Sequence, residues 1–450
     1  MNSVSASILI FLIAVVSFGS RRLALLAMAA GVLYLTEFDA IKVAGFNMFA
    51  IRFLEVAGFI RVMARREFGF SRLNRFDRLF LLFYSYLTII FLLRSNEGQA
   101  FQAGLFIDAV FCYFTFRGLA GDMEDFVWFL RTFVILLVPY VALLFVEMWT
   151  TRNLFSILEG GAVEHFLRAG RIRCTGSFRE YSILGSLGAS FLPLYIGLGR
   201  SRPGRWHAMA GVILCLAIAG LSNSGGPLAF VCIVVLGWML WPLRDRMGLI
   251  RRLGLAGLVA LAIAMKAPVW YLPVHFAFGG DAWHRSYLIE LAVRHLGQWW
   301  LWGMPISMTS NWFTYRVQGV ADITNQFLFF GLAAGLMAMI LFVWMLARAF
   351  AGLGEQLATV RALPSENPAE AEYLLWGLGV MLAGHVANFF SITYFDQFYV
   401  IWFMQLAFIS TLSQEHGNAY LPAVAARSLP LNFGHDSVAY SSIQQETSRR

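Results

Sequence analysis

FVWFLRTFVILLVPYVALLFVEM, residues 126–148, is the stretch on which the fold turns. Arg131 and Glu147 are its only charges, and apolar side chains occupy every face of the implied helix. A helix that is apolar all round lies in a large core or in lipid. A run of about 20 such residues matches the hydrocarbon thickness of a bilayer. Runs of the same kind recur at 4–19, 23–36, 45–62, 77–93, 100–116, 181–199, 207–222, 225–242, 253–271, 326–347, 372–390 and 398–413. With 126–148 they make 12 or 13 spans, the first two being short. The chain is 59% hydrophobic and only 13% charged, where a soluble domain carries about 25% charged residues. The fold class expected is therefore all-α: a polytopic integral membrane protein whose membrane domain covers 1–413. The polar, Ser/Gln-rich tail 414–450 is expected to be disordered. The opening MNSVSASILIFLIAVVSFGSRR (1–22) has its arginines after the apolar run, so it reads as a first span rather than a cleaved signal.

Arginine sets the orientation, because basic residues favour the cytoplasmic side. The loop RVMARREFGFSRLNRFDR (61–78) carries six arginines and is placed inside. Counting spans from it puts GRSRPGR (199–205), RDRMGLIRR (244–252) and 348–371 inside as well. Two long segments, 149–180 and 272–325, then fall outside. Loops of that length in a compact protein are commonly functional. The second contains DAWHRSYLIELAVRHLGQWWLWGMP (281–305). On a helix, Leu288, Leu291, Ala292 and Leu296 share one side, Glu290 and Arg294 pair at i,i+4, and Trp299, Trp300 and Trp302 suit the headgroup level. This segment is expected to be an amphipathic helix lying on the outer membrane face.

The first outer segment ends in AGRIRCTGSFREY (169–181), whose arginines oppose the positive-inside rule. Arginine is the side chain suited to bidentate phosphate recognition. Arg171 and Arg173, with Arg285 at the start of the amphipathic helix, could hold a diphosphate at the outer surface. They could equally pair with Glu159, Glu164, Glu180 or anionic headgroups. The net charge of +8 is otherwise spread through short inter-span loops and carries no nucleic-acid pattern. In ADITNQFLFFGLAAGL (321–336), Asp322 or Thr324 reads as an ordinary helix cap. GLSNSGGPLAF (220–230) is a Ser/Gly turn. Within spans, Arg52 and Glu55 stand i,i+3 and could pair. Asp396, in SITYFDQFY (391–399), is a candidate acid or base. Cys112, Cys174, Cys215 and Cys232 read as small hydrophobes rather than a disulfide framework. No nucleotide loop or zinc spacing is present, and no cofactor is indicated.

Taken in order, Arg173, Gly176 and Phe178 (Arg-x-x-Gly-x-Phe), Ser224 and Gly226, Arg285, Trp302 and Gly303, and Asn325, Leu328 and Gly331 (Asn-x-x-Leu-x-x-Gly) form a sparse pattern. It resembles the superfamily of O-antigen ligases and O-antigen/exopolysaccharide polymerases. The resemblance implies transfer of a glycan from undecaprenyl diphosphate to an acceptor hydroxyl on the periplasmic face of the bacterial inner membrane. It also implies metal-independent chemistry, with a chain-length regulator and a flippase as pathway partners. Arg173 and Arg285 would be the diphosphate clamp, and Asn325 would belong to the acceptor side. Thr324 stands where the family places a histidine, and Gly225 where an arginine often follows the serine. The base is therefore open among His284, Asp322 and Asp396. The departure at Thr324 favours a divergent polymerase over a ligase. The competing classes are a transporter or flippase of lipid-linked sugars and a membrane scaffold.

Overall fold

The computed structural model describes residues 3–36, 40–43, 46–94, 98–156, 167–168, 170–200, 204–272, 274, 282–313, 322–362 and 368–413. Glu159, Glu164 and the tail 414–450 lie outside the described residues. About 80% of the described residues are helical. The helices are α1 (Ser3–Phe18), α2 (Arg21–Tyr34), α3 (Ala50–Ala64), α4 (Arg75–Arg94), α5 (Gln99–Leu119), α6 (Met123–Thr150), α7 (Tyr181–Leu198), α8 (Arg205–Leu221), α9 (Gly225–Met239), α10 (Met247–Ala264), α11 (Ala282–Arg294), α12 (Leu296–Trp299), α13 (Gln326–Ala334), α14 (Leu336–Ala362), α15 (Pro368–Asn388) and α16 (Phe398–Leu412). Two antiparallel hairpins accompany them: β1 (Ala40–Val43) with β2 (Phe46–Phe49), and β3 (Leu167–Arg168) with β4 (Arg171–Ile172).

Among the described residues, α4, α6, α7, the segment Trp241–Ala264 and α14 are long and apolar enough to cross a membrane. α1, α8, α9 and α16 are apolar but shorter. Their outward faces carry the physical signature of lipid. Ile135 on α6 is 64% exposed and Ile10 on α1 is 67% exposed, and comparable aliphatic side chains face outward along α4, α8, α10 and α14. Water would not leave so much apolar area uncovered. The opposite stripe of α6 is buried at helical spacing: Phe126, Phe129, Phe133, Leu137, Tyr140, Leu144 and Glu147. Asp122 caps this helix by accepting from Asp125 N–H at 2.8 Å, and Glu124 and Asp125 place negative charge at its positive end. α7 and α16 form the centre; every residue of α16 except Tyr399 is buried.

Three expectations are revised. The run 326–347 is not one continuous helix. It breaks at Gly335 (φ +83°), where the Leu336 N–H turns away to bond Trp300 O at 2.7 Å, leaving α13 and α14 as separate helices. Hydropathy is continuous across the break, so the sequence reads as one run. Arg52 does not pair with Glu55. Its guanidinium makes a two-pronged ion pair with Asp108 on α5, at 2.8 and 2.6 Å, while Glu55 accepts from Tyr399 Oη at 2.8 Å. The apolar face of α11 is covered by protein rather than lipid. Leu288, Leu291 and Ala292 are buried against Trp299, Trp312, Phe313, Ile323, Leu328 and Leu332. Trp283, Val293, Leu296, Trp300, Leu301 and Trp302 are the exposed large apolar residues of that segment. The Glu290–Arg294 pair forms as expected, with Tyr271 Oη also donating to Glu290. Cys112, Cys174 and Cys215 are buried free thiols.

Removing Asp108 leaves Arg52 without the carboxylate that holds it in a mostly buried setting. Breaking such a pair from one side costs about 3–5 kcal/mol. Asp108→Ala is accordingly expected to lower the thermal unfolding midpoint in detergent by several degrees. An unchanged midpoint would show that the pair is not structural.

Candidate functional site

The loop carrying the Arg-x-x-Gly-x-Phe element is held by a buried carboxylate. Glu147, near the end of α6, accepts the backbone N–H groups of Thr175 (2.9 Å) and Gly176 (3.0 Å). Asn153 Nδ2 donates to Thr175 Oγ1 (3.0 Å) and to Gly176 O (2.7 Å), and the Cys174 N–H donates to Leu221 O (3.1 Å). Gly176 sits at φ +59°, and a Cβ there would lie 2.6 Å from Tyr140 Oη. Only glycine accepts both demands at once. Phe178 is buried in the core. The element is thus a scaffold with one outward product: Arg173, whose guanidinium carbon lies 3.1 Å from the centre of the Tyr181 ring.

The second side is built from α11 to α13. Arg285 lies in the first turn of α11. The turn after α12 seats this segment on α13: Gly303, at φ +74°, lies so close to Leu332 O that a Cβ would be 2.2 Å from it, and Met304 N–H donates to the same carbonyl at 2.7 Å. The strand of chain before α13 is tied to the loop between α15 and α16. Thr393 Oγ1 donates to Ile323 O (2.5 Å), Gln326 N–H to Phe389 O (2.8 Å) and Tyr394 N–H to Gln326 Oε1 (2.7 Å). Gln397 Nε2 in turn donates to Ser177 O (2.9 Å) and Leu35 O (3.0 Å), joining that loop to the first side.

Between the two sides lies a cavity of about 860 Å³. Its polar wall includes Arg173, Glu180, Arg285, Asp322 and Thr324, with Ser224 from the Ser/Gly turn. Tyr84, Leu87, Phe101, Leu105, Phe330 and Phe403 contribute an apolar wall, with the Arg52–Asp108 pair among them. A cavity part charged and part apolar can take an amphipathic ligand whose anionic head meets the arginines.

Of the residues expected from sequence, Arg173, Arg285, Asp322, Thr324 and Asp396 meet at this cavity. Arg171 does not: it is an exposed residue of β4, and its backbone register partner is Arg168. Asn325 is buried, and its Oδ1 accepts from Leu328 N–H at 3.0 Å, so Asn325, rather than Asp322 or Thr324, caps α13. His284 is not in the cavity wall; its ring stacks on Phe313 with centroids 5.9 Å apart. Asp396 faces the cavity but is already engaged. Arg179 binds it through the guanidinium and through its backbone N–H (3.0 Å), and Asp396 itself sits at φ +51°. A non-glycine residue in that region is a constrained position. This pair accounts for one arginine of 169–181 in purely structural terms.

Glu180 is the residue that sequence reading undervalued, as no more than a partner for arginine. It immediately precedes α7 and lines the cavity, and its Oε2 is buried with no hydrogen-bond partner among the described residues. Burial pushes its carboxyl above the ordinary range; Arg173 opposes this, while the Asp322 and Asp396 carboxylates add to it. Asp322 is also raised by burial, against the pull of His284 and Arg285. The only hint in the sequence was the unbroken Arg179-Glu180 pair at the mouth of an apolar span.

No protein-family model, curated protein or solved structure matches the chain.

Proposed function

We propose that this protein is a polymerase of lipid-linked oligosaccharide repeat units in the bacterial inner membrane, with 12 or 13 spans and the cavity opening to the periplasmic side. One observation supports the reading above others: Arg173 and Arg285, from two separate loops, line the same cavity, which also has an apolar wall. Two arginines suit the diphosphate of an undecaprenyl-linked donor, and the apolar wall suits the start of its lipid. The acceptor hydroxyl oxygen attacks the anomeric carbon as the bond to the diphosphate breaks. The charge that grows on the diphosphate is met by guanidinium groups already in place, the kind of preorganised electrostatic help that contributes most to such steps. Thr324 Oγ1, buried and without a hydrogen-bond partner among the described residues, is available to the acceptor. Asp322, beside Arg285 and His284, holds that arginine's side of the site. His284, stacked on Phe313, and Asn325, capping α13, stand outside the cavity wall. A ligase with another acceptor would use the same clamp.

The break at Gly335 is the observation that favours a transporter, since discontinuous helices often hold transported ions or substrates. Here the backbone groups near the break are bonded within the protein: Leu336 N–H to Trp300 O and Leu332 O to Met304 N–H. Arg173, Arg179, Glu180, Asp322 and Asp396 of the cavity wall come from loops and Arg285 from the first turn of α11, while Arg52 and Asp108, which stand on α3 and α5, are paired with each other.

The direct test is ligand-induced thermal stabilisation of the purified protein. Undecaprenyl diphosphate is expected to raise the unfolding midpoint more than undecaprenyl monophosphate, since a bound ligand stabilises by mass action. Arg173→Ala and Arg285→Ala should each remove most of the difference. Equal stabilisation by both lipids, unaffected by either substitution, would refute a diphosphate clamp.

A further inference from the structure

We propose that Glu180 accepts the proton of the attacking hydroxyl, a role that rests on the glycan-transfer reading above. Three carboxylates border the polar wall, and their surroundings separate them. Asp396 is held by the Arg179 guanidinium and backbone N–H together, so its charge is spent on joining the two loops. Asp322 is also raised by burial, but Arg285 and His284 pull against that shift, and it stands as the counter-ion of Arg285. Among the described residues Glu180 faces the Arg173 guanidinium, which also lies on the Tyr181 ring, and the Ser182 backbone N–H, and it faces the two other carboxylates. Burial and the two neighbouring carboxylates raise Glu180, and its Oε2 stands at the cavity without a hydrogen-bond donor among the described residues, the setting a general base near neutral pH needs.

The position fits the step. Glu180 adjoins Tyr181 and follows the loop that carries Arg173, so a donor diphosphate on Arg173 brings its anomeric carbon to the same wall. As the hydroxyl oxygen bonds to that carbon, its proton passes to Glu180. The electron pair of the breaking carbon–oxygen bond leaves on the diphosphate. The products are the lengthened glycan and undecaprenyl diphosphate, and Glu180 later releases its proton to water.

Glu180→Gln keeps the shape of the side chain and removes its ability to take a proton. In membranes supplied with the host's own lipid-linked repeat units, polymer formation is expected to fall about 100-fold or more. Stabilisation by undecaprenyl diphosphate should persist, because Arg173 and Arg285 are intact. The wild-type rate should fall on the acid side, with its inflection above the ordinary glutamate range. Asp322→Asn should move that inflection down, because it removes a like charge facing Glu180 without touching Glu180 itself. This second measurement stands even if the glutamine variant does not accumulate. Near-normal polymer formation in Glu180→Gln, or an acid limb unmoved in Asp322→Asn, overturns the assignment while leaving the clamp in place. No preferential stabilisation of the wild type by undecaprenyl diphosphate removes the clamp, and this role falls with it.

Discussion

Cells whose only copy of the protein carries Arg173→Ala together with Arg285→Ala should make no glycan longer than one repeat unit. Each arginine is positioned by a different part of the fold. Glu147 and Gly176 shape the loop behind Arg173, and the packing of α11 on α13 places Arg285. Removing one preorganised group that meets developing charge typically costs a factor of about 100–1,000 in rate. In the proposed clamp both groups act on one diphosphate, so the double loss should be smaller than the product of the single losses. Lysine at either position should rescue poorly, because an ammonium cannot reproduce the forked geometry of guanidinium. Arg171→Ala is the matched control: it removes an exposed arginine two residues away that lies outside the cavity wall, and glycan length should not change. The readout is the glycan ladder on a gel, with equal protein in the membrane by immunoblot. A full ladder in the double variant would leave the arginines as structural or topological features.

Gly303→Val should disable the protein without altering any residue of the cavity wall. Gly303 is in the left-handed region, and its absent Cβ would lie 2.2 Å from Leu332 O and 2.9 Å from backbone atoms of Ala333 and Ala334. These neighbours are backbone atoms of α13, so they cannot swing aside as a side chain would. A branched residue held at that conformation costs about 1–3 kcal/mol in backbone strain. Overpacking against α13 adds about 1–3 kcal/mol more. Relief requires the segment 299–304 to lift from α13, which would carry α11 and Arg285 with it. The expected result is a lower unfolding midpoint together with loss of the long glycan ladder. Gly297→Ala, at a position with open space, should change neither. An active Gly303→Val protein with an unchanged midpoint would mean that this contact does not position Arg285.

Much of the architecture follows from the sequence alone, because apolar length and helical periodicity are local properties. Residues 126–148 announce an apolar helix without reference to any neighbour, and α6 covers all of them. Arg173 and Arg285 stood out for a similar reason: once spans are counted, arginine in a long outer loop is an anomaly that one dimension can display. What the sequence could not contain was the choice of partner. Glu147, Glu180, Asp322 and Asp396 are the same kind of side chain in one dimension. In the folded chain, one holds backbone amides, one lines the cavity with an unbonded oxygen, one faces Arg285 and His284, and one is tied to Arg179. Arg52 took Asp108 rather than nearby Glu55 because α5 packs against α3. The covering of α11 by protein and the break at Gly335 likewise depend on which surface arrives opposite. Hydropathy reports that a residue avoids water; only tertiary packing decides whether lipid or another helix takes water's place.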